Sequence, residues 1–264
     1  MATSVRPSAI AGQFYPADAH SLAAVINHCL QHAKTHRSTT PPQAIITPHA
    51  GLIYSGPTAA VAWSQALART TPIQRVVLLG PSHRVGFSGV ATSPAQAWRT
   101  PLGEIALDRE GAEALQSHPF VQAFALAHAQ EHCLEVQVPF IQTLWPKAKL
   151  LPLLVGDASA EQVAALLAPY WGDPETLIAI SSDLSHFHDY ATAQAIDQRT
   201  AQAIEAGRVD AIGPEQACGC RALNGLLLVA GQHHRPVVTL ELCNSGDTAG
   251  DRSRVVGYGA FAVH

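Results

Sequence analysis

RVVLLGPSH, residues 75–83, is an apolar β-branched run that meets Gly80-Pro81 and then delivers a histidine. Three other stretches repeat the design. AIITPH ends at His49, LIAISSDLSH at His186 and VVTLELC at Cys243. Each reads as a buried strand that runs out just before a side chain able to bind a metal. In open α/β sheets, ligands collect in the crevice beyond the carboxyl ends of the strands. Imidazoles and a thiol aimed at one such crevice imply a metal site.

Helix-like stretches alternate with these strands. Residues 18–34 place Leu22, Val25, Ile26 and Leu30 on one helical face. Residues 35–42 read as a loop, and strand 44–47 follows. The next helix is expected to carry Pro57 near its first position. Strands are expected at 75–79, 88–92, 149–154, 176–181, 237–242 and 255–263, with TPLGEIALD (100–108) as a hairpin. Helices are expected at 109–117, 131–145, 158–170, 189–207 and 221–231. Pro139 should start or kink the helix in which it falls. This rhythm implies an α/β fold with a mostly parallel mixed sheet and helices on both faces. The short Gly/Asp-rich link before the last strand makes the final pair antiparallel. One domain over residues 1–264 accounts for the chain.

Composition narrows the function classes. Charged residues are 14% of the chain, and the net charge is −4. No basic cluster stands out, which argues against nucleic acid as a partner. No apolar stretch reaches the ~18 residues needed to span a bilayer, and the N-terminus does not read as a secretory signal. A cytoplasmic location is the expectation. The five cysteines (Cys29, Cys133, Cys218, Cys220, Cys243) are an odd number, spread thinly, and do not suggest a disulfide framework.

Several polar groups are candidates for chemistry. In SSDLSHFHDY (181–190), Asp183 lies three residues before His186. At a helix start the two would share a face, and Asp183 could fix the tautomer of an acid/base histidine. His188 reads as a surface residue. EHCLEVQVPF offers His132 and Glu135, again three apart, as residues of the same pocket or of a solvated helix face. Cys218 and Cys220 form a CxC without a matching pair and read as packing at a helix start. No P-loop, GxSxG or GxGxxG motif is present.

RPSAIAGQFYPAD, TPHAGLIYSG, LLGPSHRVGFSG, TPLGEIALD, EHCLEVQVPF, LPLLVG, SSDLSHFHDY, ACGCRAL and SGDTAGDRSRVVGYGAFAV occur in that order along nearly the whole chain. In these pieces the chain resembles the Memo family, which includes the B proteins of AmmeMemoRadiSam systems. That resemblance implies a fold like the class III extradiol dioxygenases, which hold non-haem iron with two histidines and a carboxylate. Carried over motif by motif, it implies His49, His83 and Cys243 as metal ligands, and His186 with Asp183 as the acid/base pair. A thiol in place of the carboxylate shifts preference toward copper or zinc. The implied cofactor is a divalent or redox metal, iron or copper first and zinc as the alternative. The implied activity is metal-dependent oxidoreduction on a small-molecule or peptide substrate, in functional association with AMMECR-like and radical SAM proteins. Two rivals stand beside it: a non-catalytic module that binds a peptide or partner in the same cleft, and a zinc hydrolase.

Overall fold

The computed structural model describes residues 4–34 and 41–264. Of the loop expected at 35–42, only the last two residues fall within this range. In chain order the strands are β1 (Val5–Arg6), β2 (Ala44–Thr47), β3 (Arg75–Pro81), β4 (Val90–Thr92), β5 (Ala97–Thr100), β6 (Gly103–Ala106), β7 (Val121–Ala123), β8 (Lys149–Val155), β9 (Thr176–Ser181), β10 (His186–His188), β11 (Val237–Asn244) and β12 (Val255–Val263). The helices are α1 (Ala19–His32), α2 (Leu52–Gln65), α3 (Arg109–Leu115), α4 (Ala125–Ala129), α5 (Val138–Leu144), α6 (Ala160–Leu167), α7 (Tyr190–Glu205) and α8 (Cys220–Gln232).

At the centre of the main sheet, β2, β9, β3 and β8 lie side by side and parallel. The sheet becomes mixed toward its edges. On one side β12 joins β2 antiparallel and carries β10 and β11; on the other, β4 joins β8 antiparallel and carries β7. The parallel strands are buried on both faces, so their sequences are continuous apolar runs rather than alternating ones. The pleat then sends successive residues to opposite cores. Val76 and Leu78 of β3 enter the core that α1, α2 and α5 cover. Val77 and Leu79 enter the core under α6 and α8. This is the expected α/β arrangement, and no helix among the described residues is long and apolar enough to cross a membrane. A small second sheet pairs β1 with a hairpin of β5 and β6, which spans 97–106 rather than the expected 100–108.

Two helix expectations need correction. Pro57 is not at the start of its helix, because α2 begins five residues earlier, where the Leu52 N–H donates to the Phe14 carbonyl. The stretch 131–145 is not one helix. The Glu131 carboxylate accepts the backbone N–H groups of His132 and Cys133, which holds those residues in a loop. A 3₁₀ turn at Glu135–Gln137 follows, and only then α5, with Pro139 at its second position where a missing donor costs little.

The His132 loop is braced from beneath by His128. Its ring is buried against Trp98, and its Nε2–H donates to the Ala91 carbonyl at 3.1 Å. Among the described residues Nδ1 has no hydrogen-bond partner. Burial lowers the His128 pKa from 6.5 to about 4, and the Arg6 charge adds to the effect. A histidine neutral in the fold and protonated when unfolded lends stability that is complete above about pH 6.5 and is lost as pH falls toward 4. At 1.36 kcal/mol per unit, acidification from pH 7 to pH 5 should cost about 2 kcal/mol at this residue. Urea unfolding at the two pH values should show that loss, and His128→Gln should reduce it; an unchanged pH dependence in the variant would contradict the assignment.

Candidate metal centre

The carboxyl ends of β2, β9 and β3 are neighbours in the sheet, so the residues just beyond them converge. His49 follows β2, Asp183 follows β9 and His83 follows β3. The loop of residues 130–134 closes over the same edge and brings His132. One nitrogen from each of His49, His83 and His132 can be chosen so that all three lie within 4.8 Å of one another. The rings of His49 stand edge-on to those of His83 and His132, at centroid distances of 5.2 and 5.4 Å. His83 and His132 stack at 4.6 Å.

Gly80 allows this closure. A Cβ there would lie 2.8 Å from Leu134 Cδ2 and 2.9 Å from Cys133 Sγ, so a larger residue would lift the loop off the strand end. The loop is fastened by the Cys133 thiol, which donates to the Pro81 carbonyl, and by the Ser181 hydroxyl, which donates to the Cys133 carbonyl at 2.7 Å.

The tautomer of His49 follows from its neighbours. The Trp63 indole N–H can only donate, and it meets Gln137 Oε1 at 2.9 Å, which fixes the orientation of the amide. Gln137 Nε2 therefore donates to Ser181 Oγ (2.9 Å) and to the Pro48 carbonyl (2.8 Å). With its one hydrogen given to Cys133, Ser181 has only acceptor capacity left for His49 Nδ1 at 3.1 Å. His49 Nδ1 thus carries the proton, and Nε2 keeps its lone pair, with Cys218 Sγ 3.3 Å away. Burial, reinforced by His83 and His132, holds the His49 pKa well below the usual imidazole value, so the ring is neutral at pH 7.

Glu131 does the same for His83. Its carboxylate accepts the His83 backbone N–H at 2.6 Å and the His83 Nδ1–H at 2.9 Å, leaving Nε2 bare. His132 Nδ1 lies 3.1 Å from the same carboxylate but outside hydrogen-bond geometry. Burial pushes the Glu131 carboxyl upward, but contacts with His132 and His83 outweigh it and hold the group well below the usual carboxylate range. An imidazole whose far nitrogen is tied to a carboxylate is the usual support of a metal-ligating histidine. His83, Glu131 and Cys133 form a second close group, but the Glu131 oxygens there are already taken by N–H donors.

Of the three histidines, His132 lines a cleft of about 410 Å³, within the range of small-molecule sites. Phe14, Tyr54 and Tyr258 supply aromatic walls, and His132, Asp183 and His186 the polar ones. His186 is not at a helix start. It opens β10, where Phe187 has a φ of +63° and the register with β12 shifts, while α7 begins only after Asp189 caps it. Left-handed backbone is costly for a bulky residue such as Phe187 and clusters where a side chain must be re-aimed. Asp183 is buried beside His49 rather than bonded to His186: its Oδ1 accepts the His49 backbone N–H at 2.7 Å, and Oδ2 is 3.9 Å from His49 Nε2. Burial raises its pKa despite that hydrogen bond.

Two residues expected at the site lie elsewhere. Cys243 stands outside the histidine group, because β11 continues through Asn244. Cys243 is therefore still a strand residue, paired with Tyr258, and its Sγ is 2.9 Å from Thr58 Oγ1 of α2. Ser245, two residues on, is the one that reaches the cleft. Glu135 is also outside it. Buried to 1% exposure, it pairs with Arg6 and accepts from the N–H groups of Ala9 and Ile10 and from the Tyr15 hydroxyl. His132, by contrast, is in the histidine group itself. Sequence reading passed over Glu131, adjacent to His132, and took Cys218, whose Sγ lies 3.3 Å from His49 Nε2, for helix-start packing.

The family model described as Memo-like protein matches residues 6–262. A MEMO1 family protein of Nitrosopumilus maritimus is 32% identical over 97% of this chain and 98% of its own length. One from Methanopyrus kandleri is 33% identical over the same shares. Among solved structures, an uncharacterized protein from Escherichia coli K12 superposes with a TM-score of 0.50 at 13% identity, covering 81% of this chain and 98% of that one, a likeness of fold alone. With the match running nearly from end to end, the chain belongs to the Memo family.

Proposed function

We propose that this protein is a metal-dependent oxidoreductase, with His49, His83 and His132 as the ligands of one divalent or redox-active ion. The observation that carries the reading is the set of hydrogen bonds that holds the protons of His49 and His83 on Nδ1, in a close group with His132, which lines the open cleft. Neutral imidazoles in this arrangement suit iron, copper, nickel or zinc. Such an ion, held by three protein ligands, supplies an open coordination position and Lewis-acid or redox capacity.

The chain's own residues divide the remaining tasks. Ser181 and Glu131 hold the protons on His49 and His83 at Nδ1, so those nitrogens cannot swap roles. Phe14, Tyr54 and Tyr258 shield one side of the cleft from water and offer flat surfaces to a small substrate or an aromatic side chain of a peptide. His186, which also lines the cleft, would take or give a proton, and Asp183, buried beside His49, would be a second proton-carrying group. An all-imidazole set also occurs in hydrolytic zinc sites, which keeps a zinc hydrolase with His186 as base as the second reading.

Metal uptake tests the proposal. Metal-free protein offered ferrous iron, copper or zinc in turn should bind one ion per chain. His49→Ala should bind more than about 100-fold more weakly, since even loss of a supporting residue costs 10–100-fold. Oxygen consumption by the iron or copper form, absent from the zinc form, favours the redox reading. Tight zinc binding with no response to oxygen in any form favours the hydrolase, and wild-type protein that takes up no metal defeats both.

A further inference from the structure

One wall of the cleft is a loop with three arginines in its sequence neighbourhood of β12, and two of them, Arg252 and Arg254, are used very differently. Residues 245–254 run from the end of β11 to the start of β12. The loop doubles back tightly. The Gly250 N–H donates to the Ser245 carbonyl at 2.7 Å, and a Cβ on Gly250 would lie 2.8 Å from that same oxygen. The loop is also tied to the start of α7, where the Tyr190 hydroxyl donates to Asp247 and the Tyr190 N–H to the Arg252 carbonyl at 3.1 Å. The Arg252 guanidinium covers the Tyr190 ring, 4.5 Å from its centroid, and its Nε–H donates to the Gly246 carbonyl at 3.3 Å. Arg252 is thereby spent on the loop, and Arg254 is not. The Arg254 guanidinium carbon lies 4.8 Å from the centroid of the Phe187 ring, and among the described residues no carbonyl or carboxylate accepts a hydrogen bond from it.

Stacking on an aromatic ring occupies the face of a guanidinium and leaves its in-plane N–H fork free. Phe187 is 60% exposed and holds a left-handed φ of +63°, so its strained backbone wins little burial for the ring. What the ring does carry is the Arg254 cation, next to the His186 imidazole, whose centroid is 5.6 Å away. Arg254 is the one Lys or Arg among the described residues that line the cleft, and Asp183 and Asp251 line it as well. We propose that the cleft takes a small organic carboxylate, a monoanion with a flat apolar body, and that Arg254 holds its charged end. The inference names the substrate class of the metal site proposed above and rests on that reading. A guanidinium fork meets a planar carboxylate through two parallel hydrogen bonds. One guanidinium balances one negative charge. The carboxyls of Asp183 and Asp251 in the same cleft oppose a second, so a monoanion fits better than a dianionic phosphate ester. Phe14, Tyr54 and Tyr258 are the surfaces that would cover the flat part.

Benzoate and benzamide share a shape and differ in charge, which makes the pair a direct probe. Each would be titrated into chelator-treated full-length protein at neutral pH and low salt, so that no metal competes for the carboxylate, with binding read by NMR and folding by circular dichroism. In the wild type, benzoate should bind at least about tenfold more tightly than benzamide, the range of a charge-assisted hydrogen bond, and should shift the His186 imidazole signals. Arg254→Gln should remove that preference. Arg199→Gln, an equal loss of charge at an exposed position of α7, should keep it. Phenyl phosphate should bind no more tightly than benzoate. Equal binding of benzoate and benzamide by the wild type, a comparison that needs no variant to fold, overturns the proposal. So does a preference that survives in Arg254→Gln, or phenyl phosphate binding more tightly than benzoate. Zinc uptake by the wild type is measured separately. Protein that takes up zinc without preferring benzoate loses the Arg254 assignment alone, and protein that prefers benzoate through Arg254 but takes up no zinc defeats the metal reading and keeps the carboxylate anchor.

Discussion

Arg6→Ala is expected to destabilise the protein by about 3–5 kcal/mol, the cost of leaving a buried charge without its partner. Arg6 is only 7% exposed, and its guanidinium is used on every side. Nε donates to the His128 carbonyl at 2.7 Å, one terminal nitrogen to the Glu131 carbonyl at 2.9 Å, and the other pairs with Glu135. The ring of Trp98 lies 4.4 Å from the guanidinium carbon. Alanine would strand a buried carboxylate and two carbonyls at once. For a chain of this size that corresponds to a fall in Tm of about 10 °C. Arg6→Lys should recover part of the loss, because an ammonium keeps the charge but cannot span three acceptors. Thermal and urea unfolding measure both variants. A loss below about 1 kcal/mol for the alanine variant would mean that the fork is not holding the 128–135 segment, since exposed pairs are worth that little.

The example shows what was legible in the sequence and what was not. Strands β2, β9 and β12 begin and end as their apolar runs predict, because burial on both faces leaves no ambiguity of period. The two histidines after β2 and β3 were legible for the same reason: a strand end is a local signal, and the parallel order of the sheet makes neighbouring strand ends converge. Cys243 misled because its strand runs two residues past the expected end at Leu242, so the pleat, not the loop, directs its side chain. Asp183 and His186 were read at helical spacing, but the chain between them is not helical and His186 opens strand β10. Glu135 carried the look of a site residue, and its function is to anchor the N-terminal segment from 120 or more residues away. Such a long-range ion pair leaves no trace in local pattern. Cys218 reads as helix-start packing for a related reason, since only the contact of the segment before α8 with the residues beyond β9 brings it to His49.

Glu131 ties these threads together, and its replacement by glutamine is expected to weaken metal binding 10–100-fold, the usual price of removing a carboxylate behind a ligating histidine. The carboxylate meets only donors: the backbone N–H groups of His83, His132 and Cys133, and the His83 Nδ1–H. Glutamine must turn an NH₂ toward one of them. If the amide nitrogen faces His83 Nδ1, the proton on that ring is driven to Nε2 and the lone pair needed for coordination is lost. If it faces the backbone, the loop carrying His132 loosens. Either way one of the three imidazoles loses its aim, while the size of the side chain is unchanged. Some stability is lost as well, on the order of 1–3 kcal/mol for the unsatisfied donors, so affinity must be measured well below the melting temperature. Competition against a chelator of known strength gives the affinity, and NMR of the imidazole nitrogens in metal-free protein gives the tautomer of His83. The expected pair of results is weaker binding together with a shift of the His83 proton toward Nε2 or a mixture of tautomers. Glu131→Gln protein that binds metal like the wild type, with His83 still protonated at Nδ1, would show that the carboxylate serves only to cap its own loop.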